Sequence, residues 1–222
     1  MARVKPPAAI TALLMLAACS STGSSDYSQF YRALRQSVAA SLGNGRITKD
    51  QAAAIPYASM GYRVNGGSEQ LVVLATDANG EQLWTSKARI VIVTRDGRIA
   101  RTVGLPHDKT GMSPRTGGQL AAVAAALNGN VTYTRLEDFP DIPAYGVMLT
   151  CTLSKKRAET ITILGRGISA IRIDESCRAA DRKWSFTDRF WATSDGGQVW
   201  RSLQHVDPTG TVVETEILRP PG

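Results

Sequence analysis

Two histidines, His107 and His205, are all that 222 residues offer for imidazole chemistry. His107 stands in GLPHDKTG, where His107-Asp108 supplies two metal-ligating groups. No second histidine or cysteine lies close by to complete the four ligands of a structural zinc site. His205 alternates with Leu203 and reads as a sheet residue turned partly inward. A nucleophilic serine needs a base beside it and a sharp strand-to-helix turn. Ser169, in GRGISA, lacks the second glycine of that turn and lies in a strand-like run. Paired carboxylates are the remaining option, because glycoside hydrolysis takes two of them flanking the scissile bond. Asp138/Asp141, Asp174/Glu175 and Glu214/Glu216 qualify by type. Glu214 and Glu216 share one strand face, but ordinary surface alternation accounts for that equally well. GRG at 165–167 reads as a hairpin turn rather than a phosphate loop. No catalytic residue, metal or cofactor is assigned.

Binding is better provided for. Sugar rings stack on aromatic faces while charged groups and amides fix their hydroxyls. Trp84, Trp191 and Trp200 lie in strand-like runs with Arg89, Arg95, Arg189 and Arg201 nearby in sequence. Any one tryptophan is equally at home in a core. Phe190 and Trp191 are consecutive, so on a strand one of the two faces away from the other. The candidate contacts for a glycan or a partner protein are Trp84, Phe190, Trp191, Trp200, Arg89, Arg201, His107 and Asp108. The polar loop 106–118 is the candidate mobile contact segment.

The third chemistry is that of Cys19. Arg3 and Lys5 precede an apolar run, Ala8 to Ala18, that is too short to cross a bilayer, which takes about 20 residues. The run ends in Leu16-Ala17-Ala18-Cys19, which resembles the lipobox of bacterial lipoproteins. That resemblance implies a diacylglyceryl group on the Cys19 thiol, cleavage before it, and an acyl chain on the new amino group. Three chains hold where one holds only marginally. Residues 1–18 are then a lipoprotein signal peptide, and 19–25 the lipidated cysteine with a Ser/Thr/Gly tether. In an enteric-like bacterium, by the rule that holds for lipoproteins as a class, Ser20 rather than Asp favours sorting to the outer membrane, with the domain facing the periplasm. Cys151 and Cys177 remain, both in strand-like segments and in a disulfide-permissive compartment. A disulfide across a sheet is favoured over two buried thiols.

Residues 26–222 are expected to form a single domain. Removing the signal lowers the net charge of +7 by two. The remaining basic residues are scattered, without the dense block or motif of a nucleic-acid binder. They fit a solvated surface or attraction to anionic sugars or lipid headgroups. Asp26 to Leu42 carries a helical stripe of Tyr27, Phe30, Tyr31, Leu34, Val38 and Leu42, read as a face docked on the domain core. Thr48 to Gln51 fits a capping box for a short helix. From Tyr57 the pattern is strands and turns. Candidate strands are 59–64, 70–76, 81–86, 89–95, 98–104, 131–136, 145–153, 159–164, 168–173, 184–193, 198–205 and 212–218. Residues 119–127 read as an alanine-rich helix. The expected fold is mainly β, with bent or coiled antiparallel sheets, sandwich- or barrel-like, an N-terminal helix and one or two short helices.

Three stretches, ITKDQAAAIPYASMGYRV, GEQLWTSKARIVIVTRDGRIARTVGL and RFWATSDGGQVWRSLQHV with the later EILRPP, resemble the YjbF/GfcB family of lipoproteins of exopolysaccharide and group 4 capsule operons. The resemblance covers about residues 46–220 plus the lipobox. It implies a mostly β fold and a role in surface polysaccharide production or export. It also implies an outer-membrane β-barrel partner, a periplasmic accessory protein and possible contact with the polysaccharide itself. It carries over no catalytic residue.

Overall fold

A computed structural model describes residues 45–115 and 120–222. The predicted helix over 26–42, Cys19 and its tether lie outside the described residues. The described residues open with helix α1 (Lys49–Ala53), whose capping box forms as expected. Thr48 Oγ1 accepts from Gln51 N, and Gln51 Oε1 accepts from Thr48 N. Strands β1 (Ser59–Val64), β2 (Gln70–Ala78), β3 (Glu81–Thr85), β4 (Val91–Arg95) and β5 (Arg98–Val103) follow as a meander. The second run is β6 (Gly111–Pro114), a 3₁₀ turn η1 (Val123–Asn128), β7 (Val131–Phe139), β8 (Ala144–Ile163), β9 (Arg166–Ala179), β10 (Ser185–Ala192), β11 (Val199–His205) and β12 (Val212–Arg219).

All twelve strands join one antiparallel sheet in the order β5-β4-β3-β2-β1-β12-β11-β10-β9-β8-β7-β6. The last strand returns to the first, with Tyr62 opposite Thr215, so the sheet curls into a nearly closed barrel. The seam lies between β5 and β6, and side chains fill it. Gln204 Oε1 accepts from Ile99 N at 2.9 Å and its amide donates to Gly97 O at 2.9 Å. Lys109 Nζ donates to Ile99 O at 3.2 Å, and Lys109 O accepts from Thr102 N at 2.8 Å. At Gly97 a Cβ would stand 2.6 Å from Val199, so the β4–β5 turn leans on β11 only because glycine is there.

The hairpins follow the turn chemistry of the sequence. Asn65-Gly66, Asn79-Gly80 and Asp96-Gly97 all place both residues at positive φ, the geometry that matches strand twist. Leu164-Gly165 does the same with a leucine at φ 49°, a strained position that its packing against the cluster of Ile47, Ala52, Ile55, Leu71 and Val73 helps to hold.

Three expectations differ from the structure. The runs 145–153 and 159–164 are one 20-residue strand, β8, and 168–173 belongs to the 14-residue β9. Lys155, Lys156 and Arg157 between the runs are exposed because the hairpin leaves the barrel there as an arm, with a register shift between Lys155 and Ala158. The alanine-rich run is a 3₁₀ turn over Val123–Asn128, and its small side chains let Ala124 press on Gly196. The loop 106–118 contains β6, which pairs with β7.

The interior has an apolar half and a mixed half. Met60, Tyr62, Val72, Trp84, Ile92 and Val213 pack between β1–β5 and β12. Phe139, Leu149, Trp184 and Phe186 pack around a disulfide between Cys151 and Cys177, which are direct partners on β8 and β9.

Candidate functional site

Two of the three carboxylate pairs resolve into structural ion pairs, and the third, Asp138/Asp141, accepts from backbone amides. Asp174 and Glu175 are consecutive and so face opposite sides of β9. Asp174 is gripped on the outer face by Arg172 through two 2.8 Å bonds. Glu175 is fully buried and accepts from Arg98 Nε and Nη2, Arg135 Nη1 and the Tyr133 hydroxyl at 2.6–3.0 Å. Burial pushes its carboxyl up, but Arg135 and Arg98 outweigh burial and hold it far below the usual carboxylate range. The chain of charges continues from Arg135 to Glu137 at 2.8 Å and from Glu137 to Lys109 at 3.2 Å, all buried. Asp138 accepts from Gly146 N, and Asp141 from Asp108 N. Glu175 also comes within 4.8 Å of Cys151 and Cys177, but both sulfurs are consumed by the disulfide and leave a single ligand.

Glu214 and Glu216 do share the outer face of β12, where arginines bind them. Arg46 and Arg63 hold Glu214, while Arg46 and Arg201 hold Glu216. Glu69 joins them by accepting from Ile47 N at 2.6 Å, and burial raises its carboxyl above the usual range. Arg201 also donates to Thr162 O at 2.8 Å, which straps the β8–β9 arm to the barrel. This cluster fastens segment 45–48 and the arm to β1, β11 and β12.

The predicted contacts divide sharply. Trp84 and Phe190 are fully buried core residues and are corrected as such. Trp84 Nε1 donates to Thr94 Oγ1 within the interior, and Phe190 lies 5.9 Å beneath Arg98. Trp191, by alternation, faces out and is half-buried. Its Nε1 donates to Glu159 of the arm at 2.8 Å, and the Arg201 guanidinium stands 5.9 Å from its ring. Trp200 is half-buried against the arm cluster of Ile161, Ile163 and Ala170, on which Trp191 also packs, and against the core cluster that holds Tyr62 and Ile217. Arg89 is exposed on the β3–β4 turn with φ 62°. Asp108 braces its own loop, accepting from Gly104 N, Leu105 N and Thr102 Oγ1. His107 is half-buried beside it, and His205 faces Asp188, whose Oδ1 lies 3.0 Å from Nδ1. Trp191, Trp200 and Arg201 are therefore brought together, while Arg89, His107 and Asp108 lie apart from them in the sheet order.

A second surface was not singled out from the sequence. Thr150 and Thr152 of β8, Ser176 and Arg178 of β9, and Ser185 and Thr187 of β10 line an open concavity of about 510 Å³ on the outer face. Their registers place Thr150–Arg178–Ser185 and Thr152–Ser176–Thr187 in rows across the sheet. Thr132 extends the second row through a 2.9 Å bond to Thr152. The next row brings exposed Arg189 beside Asp174, and Trp191 follows one row beyond. The signal lay in the alternation of LTCTLS, DESCRA and SFTDRF, where hydroxyl or charged residues take every second place and the residues between them are mostly apolar. Such a face offers paired donors and acceptors at strand spacing, flanked by cations, and suits a polyhydroxylated ligand.

The comparisons agree with the fold. Residues 31–218 match the family described as "Group 4 capsule polysaccharide lipoprotein gfcB, YjbF". The chain is 25% identical over 217 residues to the uncharacterized lipoprotein YjbF of Escherichia coli K12, covering 97% of this chain and 98% of that one. It is 27% identical over 175 residues to the uncharacterized lipoprotein GfcB of the same strain, covering 78% and 81%. The crystal structure of the hypothetical lipoprotein YmcC from E. coli K12 superposes with a TM-score of 0.66 at 27% identity, covering 74% of this chain and 88% of that one. A curled antiparallel sheet, a family match over most of the chain and lipoprotein relatives along nearly its whole length agree: the chain belongs to the YjbF family of group 4 capsule polysaccharide lipoproteins.

Proposed function

We propose that the protein is a non-catalytic accessory in exopolysaccharide or capsule production and export. In this reading acylated Cys19 anchors it to the outer membrane, with the barrel in the periplasm. It holds the polymer, or an outer-membrane β-barrel partner working with a periplasmic accessory protein, close to that membrane. The observation that carries the reading is the open hydroxyl face of β8–β10 with Arg178 and Arg189 exposed along it. Of the carboxylates a hydrolase would use, Asp174, Glu175, Glu214 and Glu216 are meanwhile bound by arginines, and Asp138 and Asp141 accept from backbone amides. Direct capture of the polysaccharide is favoured by that same face and by Trp191 at its border.

Crosslinking pull-downs from membranes, with and without polymer synthesis, test this. The parent protein should capture its own bacterium's polysaccharide, and Arg178→Glu with Arg189→Glu should lower capture at least tenfold. Equal capture by parent and variant would remove the polymer-holding face. Depolymerised or modified sugar in the eluate would remove the non-catalytic reading. The anchor is tested separately: Cys19→Ser should abolish acylation and release the protein from the membrane fraction, and retention in that fraction counts against it.

A further inference from the structure

Between α1, the arm tip and the end of β12 lies a groove of about 500 Å³. Its floor is apolar: Ile163, Leu164 and Ile168 from the arm, Trp200 from β11, and Ile217 and Leu218 from β12. Its rim carries Lys49, Arg166 and Arg219, all exposed and with no ion pair among the described residues. No carboxylate lines it. A greasy floor under three unpaired cations fits neither a neutral sugar chain nor a basic peptide. It matches an amphiphile with an apolar tail and an anionic head.

We infer that this groove binds an anionic phospholipid of the membrane to which the protein is anchored. The phosphate lies among Lys49, Arg166 and Arg219, and the upper part of one acyl chain lies along Leu164 and Leu218. Two further features favour a lipid. Trp200, half-buried in that floor, adds indole surface for an acyl chain to lie against. The groove also adjoins segment 45–48, where the chain arrives from Cys19, so the anchor delivers it to lipid. The chain's own residues 26–44 are a poorer occupant. They carry Arg32 and Arg35 against a single Asp26, a net positive charge brought to a positive rim. Binding there would turn a tethered domain into one seated on the leaflet with α1 and the arm tip facing it.

The test is native mass spectrometry of the full acylated protein in detergent, titrated with phosphatidylglycerol or phosphatidylcholine. One phosphatidylglycerol should be retained per protein, at least tenfold more tightly than phosphatidylcholine, and more weakly as salt is raised. Arg166→Glu with Arg219→Glu should lower that affinity at least tenfold while leaving the melting temperature unchanged, since neither side chain is paired. Equal retention of the two lipids, no retained lipid, or undiminished affinity in the folded variant would each overturn the inference. None of these outcomes bears on the hydroxyl face, which is read by polymer capture.

Discussion

Replacing Glu175 by alanine will destabilise the domain by about 3–5 kcal/mol, the cost of leaving buried charges without their counter-ion. Arg98 and Arg135 both point at this carboxylate, and Tyr133 donates to it as well. Without it, buried Arg98 keeps only the Ala121 carbonyl, and buried Arg135 must share Glu137 with Lys109, so two carboxylate-bound guanidinium groups and a lysine are left with one carboxylate. For a domain of this size each kcal/mol moves the melting temperature by about 2–4 °C, so the fall should be about 6–20 °C. Chemical denaturation of parent, Glu175→Ala and Glu175→Gln would measure it. A loss below about 0.5 kcal/mol in both variants would mean that the network does not hold the barrel together.

The same carboxylate predicts a pH dependence. Its folded pKa is depressed, so it adds stability that is present above the ordinary glutamate value of about 4.3. That stability is lost as pH falls toward the folded value, at up to about 1.4 kcal/mol per pH unit for one proton. Asp188 and Glu69 work the other way. Burial raises both, so their contribution is present at low pH and fades as pH rises through their folded values. The diagnostic quantity is therefore the difference between parent and Glu175→Gln, which should shrink steadily below about pH 4.3. A difference constant from pH 5 to 3 would contradict the depressed carboxyl.

The disulfide is the second large term. Cys151 and Cys177 are 26 residues apart, and tying them removes unfolded-state freedom worth about 3.5 kcal/mol at 25 °C by loop-closure entropy. The double variant Cys151→Ala, Cys177→Ala should melt about 7–14 °C lower, with unchanged antiparallel-sheet circular dichroism at 20 °C. Both cysteines are buried, so reductant alone should act slowly on the folded parent. Parent and double variant melting within 2 °C of each other would show that the bridge contributes little.

Local chemistry was legible from residue types and the long-range pairing was not. Asn-Gly and Asp-Gly dipeptides mark three turns that form as read, and Thr48 with Gln51 caps α1 as read. Cys151 and Cys177 were recognisable as a pair because each sits in a strand-like run. Trp84 misled, since an indole beside arginines looks the same whether it faces a ligand or a core that supplies Thr94 as acceptor. The interior ions could not be read at all. Glu175, Arg98, Arg135 and Lys109 come from four separate elements, and each alone looks like an ordinary surface charge. SKKRAE read as a gap between strands because periodicity disappears where a hairpin leaves the barrel and both faces meet water. The hydroxyl rows were visible as alternation, yet their union into one face depends on registers among β7, β8, β9 and β10.

Gln204 and Lys109 together imitate a neighbouring chain along β5, taking Gly97 O, both main-chain groups of Ile99 and the amide of Thr102. A visiting polypeptide seeking to extend the sheet finds those main-chain groups already engaged, so recruitment by strand addition is blocked on that side. Any associate must instead be recognised through side chains displayed on the curved exterior. Such recognition can drift in sequence while the β-scaffold beneath it stays fixed.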